Sequence, residues 1–589
     1  MDISRMSRFA RVWAGLALCT LCLSSMGADN RASAQPPITI QPPAFDSSTD
    51  GQLTKSPVIS QATPIELSKE QRAIDAGLAL ESARKWNEAI RHYEKASRDF
   101  PESRTLYQRL VISRLHYDVN RRYVDQSFLE ATKTLSAAEA LDLYSEILAN
   151  LETHYVETTQ LPRILLHGTA ALEIALTQQK FIDNQLSLDS DVAREAVEEF
   201  RLGIHQRISQ RPSNNRYDLR GTVALVAEMA NAEIGLSPTA VILEYVSGAV
   251  STLDPYTRLL SGDQLDEMFS NIEGNFVGLG IELKTSSDAL QILSVIPGGP
   301  AAEAGIMAGE KIIRVETAHT KQTNPDVAAD LLRGPEHSEV SLTVVDRNGR
   351  PRELSVERRR VEVPCVENVH LVDPVTRIGY LRLTNFQKTT TRDVERALWE
   401  LHRQGMRALV LDVRGNPGGL LSAAVEVADR FLDNGRIVTT RGRNARENYD
   451  YVAHRANTWS VPLAVLIDGD SASASEIFAG AIADSARGSI VGQRSYGKGS
   501  VQGIFRMQSA KFGLCLTTAK FYSPKGREIS LNGVLPTIAV ENDPDQETYI
   551  AARPDQSGRI LTDKEDVVLQ RAIESLASSS AQISQRTGE

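Results

Sequence analysis

Three short runs of almost unbroken apolar residues, RIGYLRL (377–383), RALVLDV (407–413) and PLAVLID (462–468), constrain this chain most strongly. Runs of this length and composition read as buried strands. TTRDVERALWELHRQ (390–404) and LLSAAVEVADRFL (420–432), which lie among them, repeat their apolar residues at helical spacing. Residues from about 366 to 545 therefore alternate strands with helices in a mixed α/β region.

The rest of the chain has other textures. At 589 residues it is long enough for about three or four folding units. With 41% apolar and 24% charged residues it is an ordinary globular chain, which excludes wholesale disorder, a collagen-like fibre and a polytopic membrane protein. A net charge of -10 argues against a general nucleic-acid binder. Four cysteines are too few for a disulfide-built fold, and neither paired C-x-x-C nor H-E-x-x-H occurs, so no metal or other cofactor is expected.

Arg5, Arg8 and Arg11 precede an apolar run from Val12 to Leu23, and Ala32-Ser33-Ala34 offers a small-residue cleavage site. Residues 1–34 thus read as a signal peptide, and the run is short of the ~20 residues that span a bilayer. Export to the periplasm or cell envelope of a bacterium follows, with membrane association only through an uncleaved signal. Cys365 and Cys515 would remain; whether they pair is open. Residues 35–65 are a proline-rich linker.

Within 66–135, Gly77, Ala89, Tyr93, Ala96 and Pro101 stand at the offsets of a tetratricopeptide repeat, with Trp86 in an aromatic slot. A single hairpin of this kind cannot bury its own apolar face, so it is expected to cap neighbouring helices, with an adaptor-binding role as an alternative. Residues 136–262 stay helical, as in LDLYSEILANLETHYV (141–156) and AVILEYVSGAVSTL (240–253), and 178–235 read as a polar helical insertion. KEDVVLQRAIESLA, within 546–589, is an amphipathic helix expected to fray at its polar end.

In FVGLGIEL (276–283) glycines precede a β-type run, a pattern that can point successive N–H groups into an anion-binding concavity. With VIPGGPAAEAGIMAGEKIIRVE (295–316) this resembles a PDZ domain, here 263–362, in the permuted order of bacterial proteases. The resemblance implies that the N–H groups of Leu279, Gly280 and Ile281 hold a peptide's C-terminal carboxylate while the peptide adds to the sheet edge. The plainer alternative is that the glycines only shape a hairpin.

Three further segments carry chemistry. DGDSASASEIFAGAIAD (468–484) puts small residues between a strand and a helix; Ser473 and Glu476 also fit a helix-capping box. In RSYGKGSVQGIF (494–505) Lys498 lies between glycines. Gly492 to Lys498 nearly fits a nucleotide loop, but glycine replaces the metal-ligating hydroxyl at 499 and a strand follows. LDVRGNPGGLL (411–421) offers glycines with unshielded N–H donors. Taken singly, these could be a helix cap, an exposed turn lysine and a tight turn.

Together, with TLDPYTRLL (252–260) and LTTAKFYSPKGREI (516–529), they resemble the carboxyl-terminal processing peptidases, or tail-specific proteases. The resemblance implies an α+β multidomain chain: a helical N-terminal region, a β-sandwich-like PDZ module, and a ClpP/crotonase-like β-β-α spiral core over 363–545. It makes Ser473 the nucleophile, Lys498 the general base and Gln502 the residue that orients the lysine. Asp484 matches a carboxylate that some members need. The oxyanion donors would be the N–H of Ala474 and that of Gly418 or Gly419, left unseparated. The substrates would be proteins with free C-termini; oligomeric state stays open. The rival reading is a catalytically silent PDZ and repeat-like scaffold. Asp468, where asparagine is usual, and Glu310, where aspartate is usual, depart from the family pattern.

Overall fold

The computed structural model describes residues 68–186, 190–251, 253–285, 289–320, 331–540 and 566–587. The expected leader and proline-rich linker lie outside them. No helix among the described residues is long and apolar enough to cross a membrane.

Ten helices come first: α1 (Lys69–Ser82), α2 (Trp86–Asp99), α3 (Arg104–Arg122), α4 (Gln126–Thr134), α5 (Ala137–His154), α6 (Leu161–Ala175), α7 (Gln179–Gln185), α8 (Asp191–Ile208), α9 (Arg216–Ile234) and α10 (Pro238–Ser251). Side chains at Ser68, Ser103, Asp125, Ser136, Ser190 and Asn215 accept first-turn N–H groups and set many of the starts. The repeat-like hairpin α1–α2 closes on Tyr93, whose ring lies so near Gly77 that a methyl there would meet it at 2.2 Å. Its small apolar cluster is completed by Leu106 and Leu110 of α3. The described residues of segment 178–235 carry α7, α8 and α9. The α10 helix is buried from Thr239 to Val250 and carries Glu244, which accepts from Arg122 (2.5 Å) and the Tyr123 hydroxyl (3.0 Å).

Beyond β1 (Arg258–Leu260) and α11 (Gly262–Glu273), a ribbon of β2 (Asn275–Gly278) with β9 (Arg359–Glu362) flanks a six-stranded sheet. That sheet holds β3 (Ile281–Thr285), β4 (Leu290–Val295), β5 (Lys311–Val315), β6 (Ala318–His319), β7 (Glu339–Val345) and β8 (Pro351–Glu357), with the short helix α12 (Pro300–Glu303) between β4 and β5. β3 stands at one end of the strand order. Buried Glu310 takes both ends of the Arg352 guanidinium (2.7 and 2.6 Å), so the longer acid is accommodated by an ion pair.

The remaining elements are β10 (Val366–Asp373), β11 (Ile378–Leu383), α13 (Thr390–Arg403), β12 (Ala408–Asp412), α14 (Leu421–Asp429), β13 (Arg436–Gly442), β14 (Tyr449–Val452), β15 (Leu463–Ile467), α15 (Ala474–Asp484), β16 (Ser489–Gly492), β17 (Ser500–Arg506), β18 (Gly513–Tyr522), β19 (Ile538–Ala539) and α16 (Val567–Thr587). Six of them form a sheet in the order β10-β11-β12-β15-β16-β19, parallel from β11 onward. The three apolar runs are its central strands, and alternation explains why they are apolar throughout. Leu409 and Leu411 face the core built with α13, α14 and α15, whereas Ala408 and Val410 face α16. Val568, Leu569, Ala572 and Leu576 make the apolar stripe of α16 that covers this second face. The helix spans Val567–Thr587.

A second sheet, β1-β18-β13-β14 with β17 on β18, projects Phe512, Leu514 and Leu516 into the core of the N-terminal helices. Cys365 and Cys515 are buried and unpaired.

Candidate active site

Strand ends build the site. At the end of β15, buried Asp468 accepts N–H bonds from Gly415 (3.0 Å), Asp470 (3.1 Å) and Ser471 (2.9 Å), tying the glycine loop after β12 to the serine loop. The carboxylate's oxygens all act as acceptors here. Asn416 adds a second tie: its amide donates to the Leu383 carbonyl (2.8 Å), and its own carbonyl accepts from Ala472 N–H (3.1 Å) and Ser475 Oγ (2.9 Å). The loops after β11, β12 and β15 are thus held as one body.

Ser473 immediately precedes α15 with φ +55° and ψ -111°, backbone that a non-glycine residue rarely adopts. Such strain costs about 1–3 kcal/mol and persists only where the surroundings impose it. Gly418 is part of that surrounding: a Cβ there would meet Ser473 Cβ at 2.8 Å and Ala474 N at 2.9 Å. The two glycines left unseparated by sequence are now distinct. Gly418 N–H donates to Asn416 Oδ1 (2.9 Å). Among the described residues, neither Gly419 N–H nor Ala474 N–H has an acceptor.

Sequence spacing credited Glu476 only with capping. In the fold, its buried carboxylate accepts from Ser473 N–H (2.8 Å), Ser495 Oγ (2.6 Å), Gly497 N–H (2.6 Å) and Lys498 N–H (2.9 Å). One side chain thereby joins the serine turn to the lysine loop, even though burial pushes its pKa up against these four donors.

Lys498 enters the cleft from that loop. Gly499 packs so tightly on Ser530 that a Cβ would come within 2.2 Å of its nitrogen, so the flanking glycine is sterically required. The lysine Nζ lies 5.0 Å from the centroid of the Tyr256 ring. Among the described residues, no carboxylate pairs with it. Burial drives the ammonium below the ordinary lysine range; Arg258 acts in the same direction, and Cys515, Glu476 and Asp254 oppose it.

Ser473, Ala474, Gly418, Gly419, Lys498 and Gln502 line one cleft of about 720 Å³, whose apolar wall includes Phe386, Leu420, Ile477 and Phe521. Two expected residues stand differently. Gln502 donates to Ser500 Oγ (2.9 Å) rather than to the lysine, because the β17–β18 ladder slips between Val501 and Gln502 and re-aims the side chain. Asp484 ends α15, about 15 Å along the helix from Ala474 at 1.5 Å per residue. It is buried, pairs with Arg527 and accepts from Lys525 N–H (3.0 Å), out of contact with Lys498.

In the N-terminal part of the β3 sheet, Gly280 has φ +74°, and the carbonyls of Leu279 and Gly280 accept from Ala301 and Ile296. The N–H groups of Leu279 and Gly280 have no acceptor among the described residues, and Ile281 begins the edge strand β3.

Residues 377–540 match the model of peptidase family S41, and residues 291–346 that of a PDZ domain. A carboxy-terminal-processing protease of Bartonella bacilliformis is 37% identical over 303 residues, which cover 50% of this chain and 68% of that protein. A carboxyl-terminal-processing protease of Synechocystis sp. is 32% identical over 297 residues, covering 50% and 69%. The chloroplastic carboxyl-terminal-processing peptidase 2 of Arabidopsis thaliana is 36% identical over 301 residues, covering 49% and 58%.

Proposed function

The chain belongs to peptidase family S41 and is a carboxyl-terminal-processing serine protease with a PDZ domain, and from that premise we propose that Ser473 and Lys498 perform the cleavage. The observation that carries this reading is a buried lysine amine, free of carboxylate partners among the described residues, in the cleft that Ser473 and two unpartnered N–H groups also line. Free lysine, with a pKa of about 10.4, is a poor base near neutrality, whereas desolvation lowers the pKa and raises the neutral fraction.

The neutral amine takes the Ser473 hydroxyl proton as Oγ bonds to the scissile carbonyl carbon, and the C=O π pair moves onto oxygen. The N–H groups of Ala474 and Gly419 donate to that oxyanion. Collapse breaks the C–N bond, and the Lys498 ammonium returns its proton to the leaving amine. Water then attacks the acyl-serine with the lysine again as base, which releases the acid and restores Ser473. Gln502 lines the same cleft and is the residue that would orient the lysine. Asp484, through Arg527 and Lys525, fixes the far end of α15 rather than touching the base.

Because the base works only when neutral and its pKa lies low, kcat/KM should rise with pH through that lowered pKa and then level off. A profile flat from about pH 5 to about pH 9, with chemistry limiting, would remove Lys498 from this role.

The unpartnered N–H groups beside edge strand β3 support capture of a substrate's C-terminal carboxylate by Leu279, Gly280 and Ile281. A Cβ at Gly280 would be forced into positive φ and lie 3.3 Å from Val361 Cγ1. Gly280→Ala should therefore weaken binding of an apolar-ended peptide about five- to tenfold, read by fluorescence anisotropy. Unchanged affinity would move tail recognition elsewhere. The basic, apolar and small-residue order of positions 1–34 supports export to a bacterial cell envelope.

A further inference from the structure

The turn that precedes β1 is built more firmly than a connection requires. Asp254 accepts from Tyr256 N–H (2.8 Å), Thr257 N–H (3.0 Å) and, across the cleft wall, Thr517 Oγ1 of β18 (2.9 Å). Thr257 Oγ1 accepts in turn from Thr517 N–H (3.1 Å), and Arg258 stands in register with Cys515. The turn is thus clamped to the strand beside the lysine, and it presents the half-buried Tyr256 ring to Lys498 Nζ at 5.0 Å.

We propose that Tyr256 is a positioning residue for the lysine base: its ring lies over the amine, shuts it from bulk water and holds it at the wall of the cleft. This rests on the reading of Lys498 as base. A ring suits the position because its face offers electron density to the ammonium formed during the reaction without a full negative charge that would keep the lysine protonated between turnovers. The charged and titratable groups facing Lys498 are Cys515 from β18, Arg258 from β1, Glu476 from α15 and Asp254 from the turn itself. None covers the amine as the ring does. Burial also holds the Tyr256 phenol up at about 12, so it stays neutral wherever the enzyme works and contributes as a ring rather than as an acid or base.

The test compares pH profiles of kcat/KM for the full chain and its Tyr256→Phe and Tyr256→Ala variants, with an unfolded protein bearing an apolar C-terminus as substrate. Tyr256→Ala admits water to the amine and should move the midpoint of the rising limb up by about one pH unit, a loss of about tenfold on that limb that closes above the new midpoint. Tyr256→Phe should keep the wild-type midpoint. The same shift should appear without turnover in the pH dependence of Lys498 acylation by acetic anhydride, located by mass spectrometry. A Tyr256→Ala midpoint equal to wild type, a loss by one factor at every pH, or a Tyr256→Phe shift as large as that of alanine would overturn the proposal. Retention of a titrating limb in Lys498→Ala would instead sink the assignment of the base.

Discussion

Ser473→Ala should lower peptide-bond cleavage by on the order of 10⁵–10⁶-fold while leaving the fold and the capture of C-terminal tails intact. The Ser473 side chain caps the first turn of α15, and alanine, though it loses that cap, keeps the Cβ that packs on Gly418. The Glu476 bond to the residue 473 N–H, which holds the strained turn, is retained, so stability should fall by no more than a lost helix cap, about 0.5–2 kcal/mol. Incubating an apolar-tailed protein with both forms and reading product termini by mass spectrometry gives the answer. Cleavage by the variant at a rate near wild type would mean that another group attacks the carbonyl.

Glu476→Ala should behave quite differently, losing stability and activity together. The Ser473, Gly497 and Lys498 N–H groups and the Ser495 hydroxyl would be left buried without their acceptor. Each orphaned donor costs about 1–3 kcal/mol, and with partial relaxation the net is about 3–5 kcal/mol, visible as an earlier denaturant midpoint. Because the carboxylate ties Ser473 itself to the backbone of Lys498, beyond the single Tyr496 N–H bond to the Ser471 carbonyl (3.1 Å), kcat should fall by roughly 10²–10³-fold even where the variant remains folded. Glu476→Gln keeps the shape but turns an NH₂ toward donors, so it should fall between the two. Wild-type stability and turnover in Glu476→Ala would show that the loops are positioned by other contacts.

What the sequence revealed and what it concealed divide along a physical line. RALVLDV could be recognised as a buried strand because both faces of β12 are covered, and covered strands are apolar at every position. Ser473 and Lys498 stood out because small residues and glycines are demanded where backbone crowds backbone, as at Gly418 and Gly499. The role of Glu476 was not visible: S-x-x-E spacing reports the partner three residues away, whereas Ser495, Gly497 and Lys498 arrive only through the path from α15 around β16. Gly418 and Gly419 could not be told apart because the difference lies in where the Asn416 amide points. Gln502 depended on a slip in a ladder, which no local pattern announces.

The far face of the catalytic sheet is closed by α16, whose leading Asp566 caps the helix at Leu569 N–H (3.0 Å) and grips Arg414 (3.0 and 2.6 Å) one residue before the glycine loop. Arg414 also holds Asp412, which the Tyr380 hydroxyl touches from the neighbouring strand. The segment that completes this linkage comes after every reacting residue in the chain. The glycine loop is therefore held from behind by a helix more than 140 residues further along the chain, and the face that α16 covers stays open until that distant segment folds back onto it.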